Sequence, residues 1–246
     1  MTENDLYPFI FKRRSIRNYL PGPMDGSELS TVRSFMSGVK PLHPEIKTEM
    51  RVIDAKDLRG LLRTDAPYYI AFYSDPKEGY LANAGFMLQQ VDLFLSVNGF
   101  GNCYQGMAKP VKGIVPPPGL KFVISTSFGR PATELHRGSV SEFNRKNIDK
   151  ISTVMGMDDI MEAARLAPSG VNNQSWFFTG GNGVINAYAK SSLIGNNMNQ
   201  INVGIALCHI WIAAEHAGMS AEFSDDGEGS GNIPKGFHYI ATVNVK

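Results

Sequence analysis

The chain repeats one helix design at two places. Residues 85–99 and 204–218 are apolar segments of helical period, and each begins and ends on glycine at the same spacing. Both segments are hydrophobic on nearly every face, which predicts helices that are buried on most sides. Gly99 and Gly218 stand where a helix can end in the left-handed backbone conformation that glycine adopts without strain. The repeat therefore predicts two related halves, each containing one buried helix.

The features around these helices recur in the same order. Each buried helix is preceded by a shorter helical run and a Ser-Gly-Val sequence, and is followed by an apolar strand candidate. The runs are 24–36 and 157–166, and the strands are 121–127 and 238–245, with a further strand at 68–73. We expect an α+β protein duplicated within one chain, with a first half at residues 1–150 and a shorter second half at 151–246. The alternative is coincidence, since many α+β proteins place glycine-ended helices before strands.

Charge and composition exclude several classes of protein. The net charge is +1, which gives no long-range attraction to nucleic acid or to an anionic membrane. No stretch approaches the roughly 18 apolar residues of a membrane span, and no secretory signal is visible. Cys103 and Cys208 lie in apolar surroundings without CxxC spacing, which favours buried thiols in a reducing compartment. These features predict a cytoplasmic protein.

Residues 13–17 read R-R-S-I-R and form the first candidate binding segment. In an extended segment, Arg13, Ser15 and Arg17 share one face. Two guanidiniums flanking a hydroxyl suit a phosphate or the polar edge of a ring. A solvated basic stretch near a terminus is the alternative. A second basic segment, residues 129–146, ends at Arg145 and Lys146 and could equally be a disordered connector.

Residues 167–176 read A-P-S-G-V-N-N-Q-S-W and form the second candidate segment, the A-P-S segment. Pro168 stops the preceding helix, and hydrogen-bonding side chains then crowd into a turn before an aromatic strand. The amides of Asn172 and Gln174 can both donate to and accept from the edge of a flat heterocycle. A helix end followed by an Asx turn and a core strand is the structural alternative.

Together these segments resemble the nitroreductase-like flavoprotein family. The family pattern includes R-x-S-x-[RK], A-P-S-x-x-N-x-Q-P-W and a G-x-G after a glycine-ended helix, which matches residues 13–17, 167–176 and 99–101 here. In ordinary members the A-P-S segment follows the first helix, whereas here residues 37–43 read S-G-V-K-P-L-H and Ser175 replaces the proline. Since that family binds its flavin at a dimer interface, the resemblance implies an intrachain pseudo-dimer that keeps one complete site.

The resemblance implies a three-layer α+β fold with antiparallel-rich sheets, and it also implies which residues hold FMN. Arg13 and Ser15 would contact the phosphate, Arg17 the N1/O2 edge of the ring, and a backbone N–H near Gly101 the N5 atom. The expected FMN-binding residues are Arg13, Arg14, Ser15, Arg17, Gly101, Arg145, Lys146, Pro168, Ser169, Asn172 and Gln174. Tyr104, Trp176 and Phe178 are candidate walls for a flat substrate. No side chain is expected to serve as the general acid.

No metal site is predicted. His209 and His216 fall on one face of a buried helix with no carboxylate at ligand spacing, which favours a pair of core histidines.

The implied activity is an FMN-dependent NAD(P)H oxidoreductase. NADH or NADPH would reduce the flavin and leave, and an electron-poor acceptor such as a nitroaromatic or a quinone would then take the reducing equivalents. One alternative is a flavin-binding or sensing protein of the same fold without turnover. Another is a scaffold without a cofactor, in which both motifs are structural. The expected assembly is a monomer that contains the pseudo-dimer, or a weak homo-oligomer.

Overall fold

A computed structural model describes residues 2–246. The helices are α1 (Glu3–Ile10), α2 (Gly26–Ser37), α3 (Tyr80–Val97), α4 (Asp158–Arg165) and α5 (Asn196–His216). The strands are β1 (Thr48–Asp54), β2 (Leu58–Gly60), β3 (Tyr68–Ser74), β4 (Gly101–Gln105), β5 (Ala108–Pro110), β6 (Lys121–Gly129), β7 (Trp176–Gly181), β8 (Val184–Lys190), β9 (Ala221–Ser224) and β10 (Phe237–Val245). Within the described residues, no helix combines the length and the apolar character that crossing a membrane requires.

Two four-stranded sheets have the same strand order. The first sheet runs β1-β3-β6-β4 and the second runs β7-β8-β10-β9, with every neighbouring pair antiparallel. In both halves the chain runs through a short helix, two strands of the sheet, a long helix and two further strands of the sheet. The first half also contains the small β2-β5 pair. The expected α+β class with antiparallel sheets and helices is therefore confirmed.

The two long helices, α3 and α5, cross at glycines. A Cβ atom on Gly85 would collide with the carbonyl oxygen of Ile201, and a Cβ atom on Gly204 would collide with that of Ala82. The shift along the chain that aligns Gly85 with Gly204 also aligns Ala82 with Ile201. The two contacts are therefore equivalent, as across the isologous interface of a symmetric dimer.

The same contacts correct where these helices begin. The sequence analysis placed Gly85 and Gly204 at the helix starts, but α3 begins at Tyr80 and α5 at Asn196. The glycines lie inside the helices because the crossing, and not a cap, excludes a side chain. The predicted helix ends are confirmed: Gly99 and Gly218 have φ values of +82° and +77°.

The buried thiols and one of the two histidines lie where the sequence placed them. Cys103 and Cys208 are buried free thiols. His209 is buried, and its Nδ1 lies 2.8 Å from the Ala163 carbonyl oxygen, to which it donates. Burial lowers the pKa of His209 to about 3, so the ring is neutral at physiological pH. His216 is exposed and stacks on Tyr7, so the expectation of a core pair is wrong for His216, which lies in the last turn of α5.

Candidate functional site

The arginine segment is held against strand β4. Ser15 forms a parallel bridge with Asn102, and the Ile16 N–H donates to the Asn102 carbonyl oxygen at 2.9 Å. The segment can approach this closely because Gly101 has no side chain: a Cβ atom there would lie 2.6 Å from the Ile16 Cβ. Gly101 therefore positions the segment through this contact, and Ser15 is fixed beside the strand.

Arg13 is buried and paired with a carboxylate that the sequence analysis missed. Its Nε lies 2.9 Å from Asp92 Oδ2, and both side chains are 2% exposed. Burial raises the pKa of Asp92, and the adjacent Arg13 guanidinium opposes that rise. The available signal was that Asp92 is the one charged residue in the sequence between positions 81 and 97. A charge within a buried helix requires a partner from elsewhere in the chain.

Five arginines surround one cavity of about 390 Å³, here termed the polar cavity. It is lined by Arg13, Arg14, Ser15, Arg17, Arg137, Glu142, Asn144, Arg145, Pro168, Ser169, Val171 and Asn172. Three carboxylates offset this charge, since Asp92 pairs with Arg13, and Glu142 and Glu134 lie 2.9 Å and 3.9 Å from Arg14. The surplus is positive, and the volume falls within the usual range of ligand pockets. The cavity is therefore suited to an anionic ligand.

Arg145 shows most directly that an anion fits this cavity. Its Nη1 donates to Asn172 Oδ1 at 2.8 Å and its Nη2 to the Leu166 carbonyl oxygen at 3.1 Å, whereas its buried Nε has no hydrogen-bond partner. Burial, with the nearby charges of Arg13 and Arg137, lowers the pKa of Arg145 to about 10. It is still charged at neutral pH, so an anion in the cavity would relieve the repulsion among these arginines.

The A-P-S segment folds into a turn of unusual backbone conformation. Val171, Asn172 and Gln174 have φ values of +47°, +56° and +47°, a region that a β-branched residue rarely adopts. Asn202 on α5 holds the turn by accepting from the Gly170 N–H at 3.0 Å. The constraint leaves the Val171 side chain fully exposed at the edge of the polar cavity.

A narrow cleft of about 70 Å³, here termed the apolar cleft, adjoins the polar cavity. The two share lining from Ser15, Arg17, Pro168, Ser169 and Val171, and the cleft adds Cys103, Tyr104, Gly170, Met198, Asn202 and Ile205. Tyr104 is a wall of this cleft, as the sequence suggested. Trp176 and Phe178 are instead buried in the core and line neither space. The pair therefore offers a compartment lined by five arginines next to one in which Arg17 is the single charged lining residue.

The structure brings together most of the residues expected from the sequence. Those that line the polar cavity are Arg13, Arg14, Ser15, Arg17, Arg145, Pro168, Ser169 and Asn172. Gly101, Lys146 and Gln174 line neither the polar cavity nor the apolar cleft. Gln174 Oε1 accepts from the Lys146 N–H at 2.6 Å, and Lys146 Nζ donates to the Asn173 carbonyl oxygen at 2.9 Å. These bonds fasten the basic connector to the turn.

The internal repeat relates the apolar cleft to a second position in the other half of the pseudo-dimer. Aromatic side chains fill that second position. The shift that relates α3 to α5 places Phe223 where Tyr104 stands and Phe86 where Ile205 stands. The two phenylalanine rings pack edge to face with centroids 5.4 Å apart. Aromatic side chains thus occupy the second position, and the arrangement is asymmetric.

A larger cavity lies elsewhere. It is a groove of about 980 Å³ between α2 and β1, and it contains none of the residues expected at a flavin. The corresponding groove between α4 and β7 is covered by residues 151–153. The Phe178 N–H donates to the Ile151 carbonyl oxygen, and the Thr153 N–H donates to the Phe178 carbonyl oxygen, both at 2.9 Å. Size alone therefore does not mark the functional site; charge and convergent polar groups do.

Comparisons with known proteins identify the family of this chain and proteins of similar fold. Residues 5–214 match a family model described as "Putative TM nitroreductase". A solved structure of a putative nitroreductase from Thermotoga maritima is 20% identical, with a TM-score of 0.63, over 100% of this chain and 93% of that one. An FMN-dependent nitroreductase from Clostridium difficile R20291 is 17% identical, with a TM-score of 0.42, over 54% of this chain and 91% of that one. No curated protein matches the sequence.

Proposed function

The chain belongs to the family described as "Putative TM nitroreductase", and from that premise we propose that it is an oxidoreductase that binds one FMN where its two halves meet. The observation that carries the proposal is the polar cavity, in which five arginines from the first 150 residues face the A-P-S turn from the second half. Neither segment forms this cavity alone. The finer assignment, NADH or NADPH as donor and a nitroaromatic or quinone as acceptor, is part of the proposal.

The residues of the polar cavity would hold the FMN phosphate. Arg137 and Arg145 are charged and partly buried, neither forms a direct ion pair with a carboxylate among the described residues, and the Ser15 hydroxyl lines the same cavity. Charge-assisted hydrogen bonds from guanidinium groups suit a phosphate dianion. Arg17 lines both compartments, so its charge would stabilise negative charge on a ring in the apolar cleft.

The bound flavin supplies the hydride chemistry, and the chain controls its surroundings. Tyr104, Met198 and Ile205 give the cleft an apolar lining that limits water. Burial raises the pKa of Cys103 and of Tyr104, so both are protonated at neutral pH and cannot serve as bases. Because a raised pKa also makes both groups weak acids, the proton that accompanies reduction of an acceptor would come from solvent.

The proposed halves, residues 1–150 and 151–246, together form one pseudo-dimer. The repeated strand order and the equivalent glycine contacts of α3 and α5 support this division. The packed rings of Phe86 and Phe223 support a single flavin per chain, because they occupy the second position.

Arg145→Gln is expected to weaken FMN binding about 10- to 100-fold, because it removes a charge-assisted contact worth roughly 1.5–3 kcal/mol. Quenching of flavin fluorescence measures the affinity. Riboflavin lacks the phosphate, so its affinity should be nearly unchanged. Lys150→Gln is the matched control, since Lys150 follows Arg145 by five residues in the sequence but pairs with Asp149 at the surface. An equal loss for riboflavin, or no loss for FMN, would show that Arg145 does not contact the phosphate.

The small volume of the apolar cleft favours one second candidate, a flavin-binding or sensing protein without turnover. Oxidation of NADH or NADPH in the presence of menadione separates the two functions. We expect a rate well above that of free FMN at the same concentration. A rate equal to that of free FMN would favour the binding protein.

A further inference from the structure

Exposed apolar side chains gather around Met198, at the edge of the apolar cleft. Val171, Leu193 and Ile194 are 99%, 106% and 91% exposed, although all three are large hydrophobic residues. Leu61, Leu62 and Met107 are also well exposed. These six residues, from four separate segments, are termed the apolar rim.

Contacts of Met198 join these segments. A Cβ atom on Gly106 would lie 2.7 Å from the Met198 Cε, and one on Gly170 would lie 2.8 Å from its Cγ. Met107 and Val171 directly follow these two glycines, and Ile194 directly precedes Gly195, the residue that caps the α5 helix of Met198. The pairing of Gly60 with Ala108 brings the next residues, Leu61 and Met107, together. Val171 and Met198 line the apolar cleft, so the rim meets the cleft at these residues.

A comparison of the two Ser-Gly-Val sequences shows that the valine is exposed only in the second half. Val39 of the first half is buried, whereas Val171 of the second projects into solvent from a left-handed backbone conformation. Strained residues of this kind concentrate at functional sites, and contiguous exposed apolar surface marks binding. A structural explanation would account for the turn but not for six exposed apolar side chains beside it.

We propose that the apolar rim binds a hydrocarbon tail of the electron acceptor, so that the acceptor is a flat, electron-poor ring such as a quinone with an extended apolar substituent. This inference rests on the proposed function. The ring would take two electrons and two protons and become a hydroquinone, with NAD(P)H as the reductant and solvent supplying the second proton. The tail, which the narrow cleft cannot contain, would lie across Val171, Leu193 and Ile194.

The test compares two quinones that share a dimethoxy-methyl-benzoquinone head, one without a tail and one with a decyl tail, on the FMN-loaded protein. Each fully buried methylene multiplies kcat/KM by roughly fourfold, so a partly buried tail should raise it at least about tenfold. In a Leu193→Ser/Ile194→Ser variant, kcat/KM for the decyl quinone should exceed that for the tailless quinone only a few-fold. Val115→Ser is the control, because Val115 is similarly exposed but lines the α2–β1 groove.

A wild-type ratio near one, or a ratio that the double variant leaves unchanged, would overturn the proposal. If neither quinone is reduced, the proposed function fails, and calorimetric titration with the decyl quinone then tests the rim alone. Binding that the double variant loses would support the rim, and absence of binding would overturn it. A dimer in sedimentation experiments that the double variant dissociates would also overturn it, since the rim would then join two copies of the chain.

Discussion

Asp92→Asn should lower the free energy of unfolding by about 3–5 kcal/mol. The substitution keeps the shape of the side chain but removes its charge, so the Arg13 guanidinium is left unpaired in the core. Breaking a buried ion pair from one side has a cost of this size because the remaining charge is not compensated. Urea unfolding monitored by circular dichroism at pH 7 measures the effect.

Two further variants separate charge from packing. In Arg13→Met/Asp92→Leu both charges are replaced by apolar groups of similar volume, so this variant should be more stable than Asp92→Asn. Asp149→Asn removes one partner of an exposed ion pair with Lys150 and should change stability by less than about 0.5 kcal/mol. A loss for Asp92→Asn as small as that of Asp149→Asn would contradict the buried pair.

The Arg13–Asp92 ion pair also determines which arginine is the better one to substitute when FMN binding is tested. Arg13 lines the polar cavity and neutralises Asp92, so Arg13→Ala would lower FMN affinity and stability together. Arg145 has no carboxylate partner among the described residues and is therefore the cleaner probe of phosphate binding.

Gly204→Ala should destabilise the protein by about 3 kcal/mol or more. The added Cβ would collide with the Ala82 carbonyl oxygen, which is helix backbone and cannot move without separating α3 from α5. Alanine is favoured over glycine in a helix by about 1 kcal/mol, and overpacking of a core typically costs 1–3 kcal/mol or more. The contact is with backbone, so we expect the steric cost to dominate. Thermal and urea unfolding measure the loss.

Gly85→Ala tests the internal symmetry, because its Cβ would meet the equivalent carbonyl oxygen of Ile201. The two variants should be destabilised to a similar extent. Gly113→Ala is the control, since a Cβ atom at that position has open space around it. Wild-type stability for Gly204→Ala would contradict the close crossing.

The sequence predicted the repeated part of the fold because that part is determined locally. A closing glycine and a run of apolar residues are visible without knowledge of their partners, so Gly99 and Gly218 were placed correctly. The role of Gly85 was not visible, because the atom that excludes a side chain there belongs to Ile201. The edge strand β1 was missed because it is only partly buried and carries charged residues.

In the candidate site, too, the short local motifs were predicted and the residues that depend on distant contacts were not. The arginine segment and the A-P-S segment are short motifs, and the structure brings both to one cavity. Asp92 and Arg137 were not selected, because each acquires its role from a contact with Arg13 that lies far away in the sequence; Arg137 donates to the Arg13 carbonyl oxygen. Gln174 matched the motif, yet its side chain is occupied by the connector.

Two diverged halves that share one flavin site should bind one FMN per chain. Calorimetric titration of FMN into the apoprotein, with riboflavin in parallel, measures this number. We expect one FMN per chain, bound more tightly than riboflavin because the arginines of the polar cavity would contact the phosphate. Two FMN per chain, or no binding at all, would contradict it.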